Sequence, residues 1–152
     1  ATQCAGCAIE EGAGEATVLA AFLHDIGHLL VNERDDDGEV RADFHHENVG
    51  ARFLTNWFDE AVTMPVQLHV SAKRYLCAVE PSYHDELSSA SVHTLTLQGG
   101  PMSDDEVRAF EALPHLDAAV SLRRWDEQAK VEGAAAPSLD EMRARIVAYL
   151  TL

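Results

Sequence analysis

The order of apolar and polar positions predicts helices almost throughout the chain. From about residue 15 to residue 31, Val18, Leu19, Phe22, Leu23, Ile26, Leu29 and Leu30 recur at three- and four-residue intervals and give one broad apolar face. Residues 32–43 (NERDDDGEVRAD) are polar, contain Gly38, and read as an exposed loop. Periodicity resumes from about His46 to Phe58, with Val49, Phe53, Leu54 and Trp57 expected inward. The next helix is expected from Pro65, a residue suited to a first helical turn, to about Val79. Residues 84–97 predict another, stopped by Gln98-Gly99-Gly100-Pro101. Ser103 with Glu106 and Ser138 with Glu141 have capping-box spacing, opening helices to about Leu113 and to the C-terminus. Pro114 separates the former from a helix of about His115 to Val131. No strand pattern occurs, so the expectation is an all-α bundle of about seven helices. With no repeat and no dividing linker, residues 1–152 read as a single domain whose N-terminal segment continues before residue 1.

Composition narrows the function classes. Against 11 basic residues stand 26 acidic ones, a formal charge of −15. Such a surface repels phosphate backbones, so nucleic acid is not an expected partner. No apolar run approaches the roughly 20 residues of a membrane span, and a reducing cytoplasm is the expected location. Cys4 and Cys7 form a C-x-x-C, but zinc would need two more ligands and only Cys77 remains as a thiol. Without a βαβ context a redox pair is disfavoured, and two small residues packed in an alanine-rich helix is the better reading.

The candidate chemistry begins with His24-Asp25, placed by the pattern in mid-helix within AAFLHDIGHLL. An ionisable pair flanked by apolar residues is costly to bury unless something neutralises it, and a metal does so. A lone histidine would more often be satisfied by a neighbouring carbonyl. Here His46 opens the next helix, His69 lies within the one after, and Asp126 follows on a late helix. Four helices thus each offer an imidazole or carboxylate among core positions, which is how helical bundles build metal sites. His28, one turn after His24, faces the same cavity as a ligand, proton donor or substrate contact. His45 is expected outward or behind the ligands; His84, His93 and His115 are expected to be structural or on the surface.

Cations are scarce, so their positions matter. Lys73 is four residues after His69 and Arg123 three before Asp126, both spacings that share a helical face. Two such coincidences suggest an anionic group bound beside the metals. Arg74, Arg124 and Lys130 are assigned to solvated faces, as is the acidic run Asp35-Asp36-Asp37.

With these residues assembled, the chain resembles the HD-domain superfamily and, within it, the mixed-valence di-iron oxygenases that cleave phosphonates, with myo-inositol oxygenase a distant cousin. The resemblance runs through LHDIGHLL, HHENVGARFL, QLHVSAKRYL, QGGPM and LRRWDEQAK. The last three motifs separate the oxygenases from the phosphohydrolases that make up most of the superfamily. The resemblance implies iron ligands at His24, Asp25 (bridging), His46, His69 and Asp126. It also implies an earlier histidine in an H-x-x-Q stretch, which by alignment with Ala1-Thr2-Gln3-Cys4 falls immediately before residue 1. It further implies a phosphonate held by Lys73, Ser91 and Arg123, with Thr94 a fourth candidate, and His28 contacting substrate.

The implied reaction takes a 1-hydroxy-2-(amino or trimethylammonio)ethylphosphonate and O2 to phosphate and glycine or glycine betaine. Two irons, Fe(II) and Fe(III), are the implied cofactors, a small organophosphonate the implied partner, and a homodimer a candidate assembly. A metal-dependent phosphohydrolase acting on a nucleotide or phosphate ester is the rival reading. A catalytically inactive ligand sensor is a third, disfavoured because five ligand positions are intact.

Overall fold

The computed structural model describes residues 1–31 and 45–151. The acidic loop expected over 32–43, with Asp35-Asp36-Asp37, lies outside the described residues. Among the described residues there are nine α-helices, one 3-10 turn and no strand. The helices are α1 (Thr2–Glu10), α2 (Glu15–Leu23), α3 (His46–Leu54), α4 (Glu60–Val79), α5 (Pro81–Glu86), α6 (Ser89–Leu97), α7 (Asp104–Glu111), α8 (Leu116–Gln128) and α9 (Leu139–Leu150). The 3-10 turn, Ile26–Leu29, lies between α2 and α3. No helix among the described residues is long and apolar enough to cross a membrane.

The all-helical expectation is met, with instructive departures. Two further helices arise because residues 2–10 form one of their own and because the stretch 84–97 is divided. Leu87 adopts an extended conformation there, and the Ser88 hydroxyl caps α6 by accepting from the Ser91 N–H. Helix α4 starts at Glu60, five residues before Pro65, because the Asp59 carboxylate caps it by accepting from the Ala61 N–H. Both expected capping boxes, Ser103–Glu106 and Ser138–Glu141, are formed.

The helix expected over 15–31 stops at Leu23, so His24-Asp25 is a junction and not a mid-helix pair. The cause is tertiary. A Cβ on Gly27 would lie 1.9 Å from the His46 carbonyl oxygen, and one on Gly50 3.1 Å from the Gly27 nitrogen. The 3-10 turn therefore presses directly onto the first turns of α3. Leu29 consequently points outward, 86% exposed, and Phe53 and Trp57 pair edge to face on the surface, not in the core.

Helix α4 is the spine. Its 20 residues span about 30 Å. Val62 and Val66 join the largest core with Leu19, Leu54, Leu122, Trp125 and Met142 from α2, α3, α8 and α9. Leu68 and Ala72 pack with Phe110 and Ala119, and Leu76 with Tyr83, Leu87 and Leu95. Cys4, Ala5 and Ala8 are fully buried where α1 enters the largest core, and all three cysteines are free, in keeping with close packing. Burial, reinforced by the charge of Asp126, pushes the Cys4 thiol well up, so it stays protonated.

Candidate metal centre and anion pocket

Polar side chains interrupt the apolar stripes where α2, α3, α4 and α8 converge. On α4 the inward series Val62, Val66, His69, Lys73, Leu76 is apolar at both ends and ionisable in the middle. His24, His46, His69, Lys73 and Arg123 are all buried. His46, His69, Lys73 and Arg123 line a cavity of about 270 Å³ together with Asp25, His28 and Asp126, and His24 stands behind the two carboxylates.

Backbone carbonyls fix two of the imidazoles. The His24 Nδ1–H donates to the Ala21 carbonyl at 2.8 Å, and the His69 Nδ1–H to the Val66 carbonyl at 2.7 Å. In each ring Nε2 is thereby left to face the centre. His24 Nε2 stands 3.3 Å from Asp25 Oδ2 and 3.5 Å from Asp126 Oδ1. Asp25 Oδ1 lies 3.8 Å from His46 Nε2, which in turn is 3.2 Å from His69 Nε2.

Among the described residues, two groups of side chains could each hold a metal ion: His24, Asp25 and Asp126, and Asp25, His46 and His69. Within each group the ligand atoms lie within 4.8 Å of one another, and Asp25 belongs to both. A carboxylate offering one oxygen to each of two cations is a bridging ligand. The donor set of imidazole nitrogens and carboxylate oxygens suits first-row transition metals, so these residues fit a two-iron centre. The electrostatics agree. Burial opposes a charge on His24, but Asp25 and Asp126 outweigh it and raise its pKa, so the centre attracts a cation. Burial opposes ionisation of Asp25 too, yet His24 holds that carboxyl far below the usual range. Burial, with His24 alongside, pulls His69 down to about 4, which leaves it a neutral nitrogen donor, as a metal would require.

Beside this centre lies a cationic half. Lys73 Nζ donates to Thr94 Oγ1 at 2.8 Å. Arg123 donates through Nε to the Tyr83 hydroxyl at 2.8 Å, through Nη1 to Asp126, and through Nη2 to Glu127 and, at 3.2 Å, to Ser91 Oγ. Arg123 thus ties the cationic half of the cavity to a candidate metal ligand. The structure brings together every residue expected in the site: His24, Asp25, His28, His46, His69, Lys73, Ser91, Thr94, Arg123 and Asp126.

His28 sits at the cavity mouth, its ring stacked on His46 with centroids 3.8 Å apart and Nε2 3.6 Å from Asp25 Oδ1. His45 is exposed in the left-handed region (φ 54°) ahead of α3, its Nδ1 3.5 Å from Glu47. His84 and His93 are exposed and His115 half-buried, all outside the cavity lining. Arg74 secures the turn after α6 through the Gly100 carbonyl and Glu106, and Arg124 pairs with Glu80. Lys130 is exposed, as expected, yet it also lines the cavity and reaches Ser91 Oγ and Glu127 Oε2, each at 2.8 Å. It stands seven residues after Arg123, just past the end of α8, a spacing that carried the signal. Sequence reasoning also passed over Glu127, Tyr83 and Gly27.

The HD-domain family model matches residues 1–88. A hydroxymethylphosphonate dioxygenase from Gimesia maris is 48% identical over 134 residues, covering 88% of this chain and 67% of that protein. A glycine-betaine-forming 1-hydroxy-2-(trimethylamino)ethylphosphonate dioxygenase from Leisingera caerulea is 42% identical over 128 residues, covering 84% and 65%. An uncharacterized protein of Acanthamoeba polyphaga mimivirus is 36% identical over 153 residues, covering 99% and 69%. The chain spans about two thirds of the length of these relatives.

Proposed function

The chain belongs to the HD-domain family, and from that premise we propose that it is an O2-dependent dioxygenase cleaving the C–P bond of a 1-hydroxyalkylphosphonate. The observation that carries this reading is the pair of candidate metal groups sharing Asp25 beside a pocket lined by Lys73 and Arg123. The substrates named for two relatives, hydroxymethylphosphonate and its 2-trimethylamino-ethyl counterpart, have in common a hydroxyl and a phosphonate on one carbon. That pairing matches a metal centre adjoining an anion pocket.

His24, Asp25, His46, His69 and Asp126 would hold two iron ions, which when bound supply the electron-transfer chemistry that O2 requires. Lys73, Ser91, Thr94 and Arg123 bind the phosphonate oxygens and fix C1 beside the metals. Arg123 and Lys73 offset the dianion as it becomes phosphate. His28 contacts the substrate hydroxyl and holds a proton there; its position at the cavity mouth supports this role. The atoms balance without a further reductant. Hydroxymethylphosphonate with O2 gives formate and phosphate, and 1-hydroxy-2-aminoethylphosphonate or its trimethylammonio analogue gives glycine or glycine betaine and phosphate.

The test is to incubate the iron-loaded protein with all three hydroxyphosphonates under O2 and to follow O2 uptake and phosphate release. Equimolar uptake and release with at least one is expected. Anaerobic hydrolysis of phosphomonoesters with Mn or Co, and no O2 uptake with any hydroxyphosphonate, would replace the oxygenase by a phosphohydrolase.

A further inference from the structure

Resting on the reading of the cavity as an anion pocket, we infer that Lys130 is a further substrate-binding residue, its third cation, and that Glu127 is the positioning residue that aims Lys130, Ser91 and Arg123 into it. Glu127 Oε2 accepts from three different donors: Ser91 Oγ at 3.0 Å, Lys130 Nζ at 2.8 Å and Arg123 Nη2. Its Oε1 accepts from the Ser88 N–H at 2.7 Å, which anchors the carboxylate to the start of α6. One oxygen thus collects a hydroxyl, an ammonium and a guanidinium, the donor set that also suits a phosphonyl oxygen.

Mobility decides which of the two cations can turn to a substrate, since Arg123 and Lys130 face the same pair of carboxylates. The Arg123 guanidinium is 5% exposed and held by Tyr83, Ser91, Asp126 and Glu127, so it is immobile. Lys130 follows the end of α8, is 39% exposed, and lies 3.8 Å from Asp126 Oδ2. Its flexible stem lets the ammonium keep Ser91 and turn to a ligand oxygen at little cost. An exposed ion pair with Glu127 alone would be worth little. The link from Lys130 to Ser91 on α6, and its share of the cavity wall, are what a surface pair would lack.

Binding of inorganic phosphate and of methylphosphonate, neither of which turns over, is measured by calorimetry on the iron-loaded chain. Iron content and melting temperature are recorded for each variant to certify folding. Lys130→Met is expected to weaken both anions about tenfold and Lys130→Arg to restore most of the loss. Where turnover is measurable, KM rises by the same factor while kcat stays within about twofold. Glu127→Ala removes a negative charge yet is expected to weaken anion binding, and Glu127→Gln to retain it. Tighter binding by Glu127→Ala would make Glu127 a mere repulsive charge and end its positioning role. Wild-type affinity in a folded Lys130→Met, or no anion binding to wild type, would overturn the assignment of Lys130. Lys130-dependent binding without O2-dependent turnover would leave this inference standing and fell the oxygenase reading.

Discussion

His46 and His69 meet nitrogen to nitrogen, their Nε2 atoms 3.2 Å apart. The N–H of His69 is already directed at the Val66 carbonyl, so the nitrogen it turns toward His46 is a lone pair. A contact of this kind needs a cation or a shared proton between the rings. Asp25 closes that group and also the one formed with His24 and Asp126.

The shared carboxylate makes an asymmetric prediction. Asp25→Ala should disrupt both metals, dropping iron from about two per chain to well below one and turnover by at least a hundredfold. Asp126→Ala leaves Asp25, His46 and His69 in place and should retain about one metal. Elemental analysis of the two purified variants checks this; equal iron in both would argue against a bridging Asp25.

Tyr83 controls Arg123 without lining the cavity. Burial pushes its phenol up to about 12, so it stays neutral while its oxygen accepts from Arg123 Nε. Tyr83→Phe should cost about 1–2 kcal/mol of stability and raise KM several-fold as the guanidinium loosens. Denaturant titration and steady-state kinetics measure the two effects.

Gly27 holds the distance between Asp25 and His46. A methyl group there meets the His46 carbonyl oxygen at 1.9 Å, so Gly27→Ala should cost about 2–4 kcal/mol and reduce metal content. At Gly14 a Cβ meets nothing within 4 Å, and Gly14→Ala should stay within about 1 kcal/mol of wild type. Thermal melts of both variants make the comparison.

Lys73 gives the pocket a pH limit. Burial, then the charges of Arg123 and Lys130, lower its ammonium to about 8, with Asp126 opposing. Anion capture by the free protein should therefore be constant below about pH 8 and decline above it as Lys73 loses its proton. Stability moves the other way. Above pH 8 the unfolded chain keeps a proton on this lysine that the folded one has lost, so the cost of burying the charge is relieved as pH rises toward the ordinary lysine value. A pH profile of kcat/KM for wild type and Lys73→Arg checks the functional half, since arginine should abolish the decline near 8.

His24, His46, His69 and Asp126 were legible because each puts charge or a lone pair beside the apolar positions of a helix or a helix end, which periodicity detects. The end of α2 was not, since apolar spacing runs on through Ile26 and only the approach of Gly27 to α3 stops the helix. Pro65 misled because Asp59 supplies a stronger start signal. Lys130 sat at a telling interval from Arg123, yet nothing local distinguishes a lysine over a cavity from one in water. Ser91 and Thr94 carry no periodic signal, and only the family resemblance singled them out.

The interruption of the α4 stripe by His69 and Lys73 makes the helix a ruler. Four residues advance the axis by about 6 Å, and the three between Arg123 and Asp126 by about 4.5 Å. These intervals set which cation accompanies which candidate ligand on a helical face, while the side chains set the reach, and Arg123 already touches Asp126. Pairing is therefore written in helical pitch, and moving either cation by one residue would swing it about 100° around its helix, away from the ligand it accompanies.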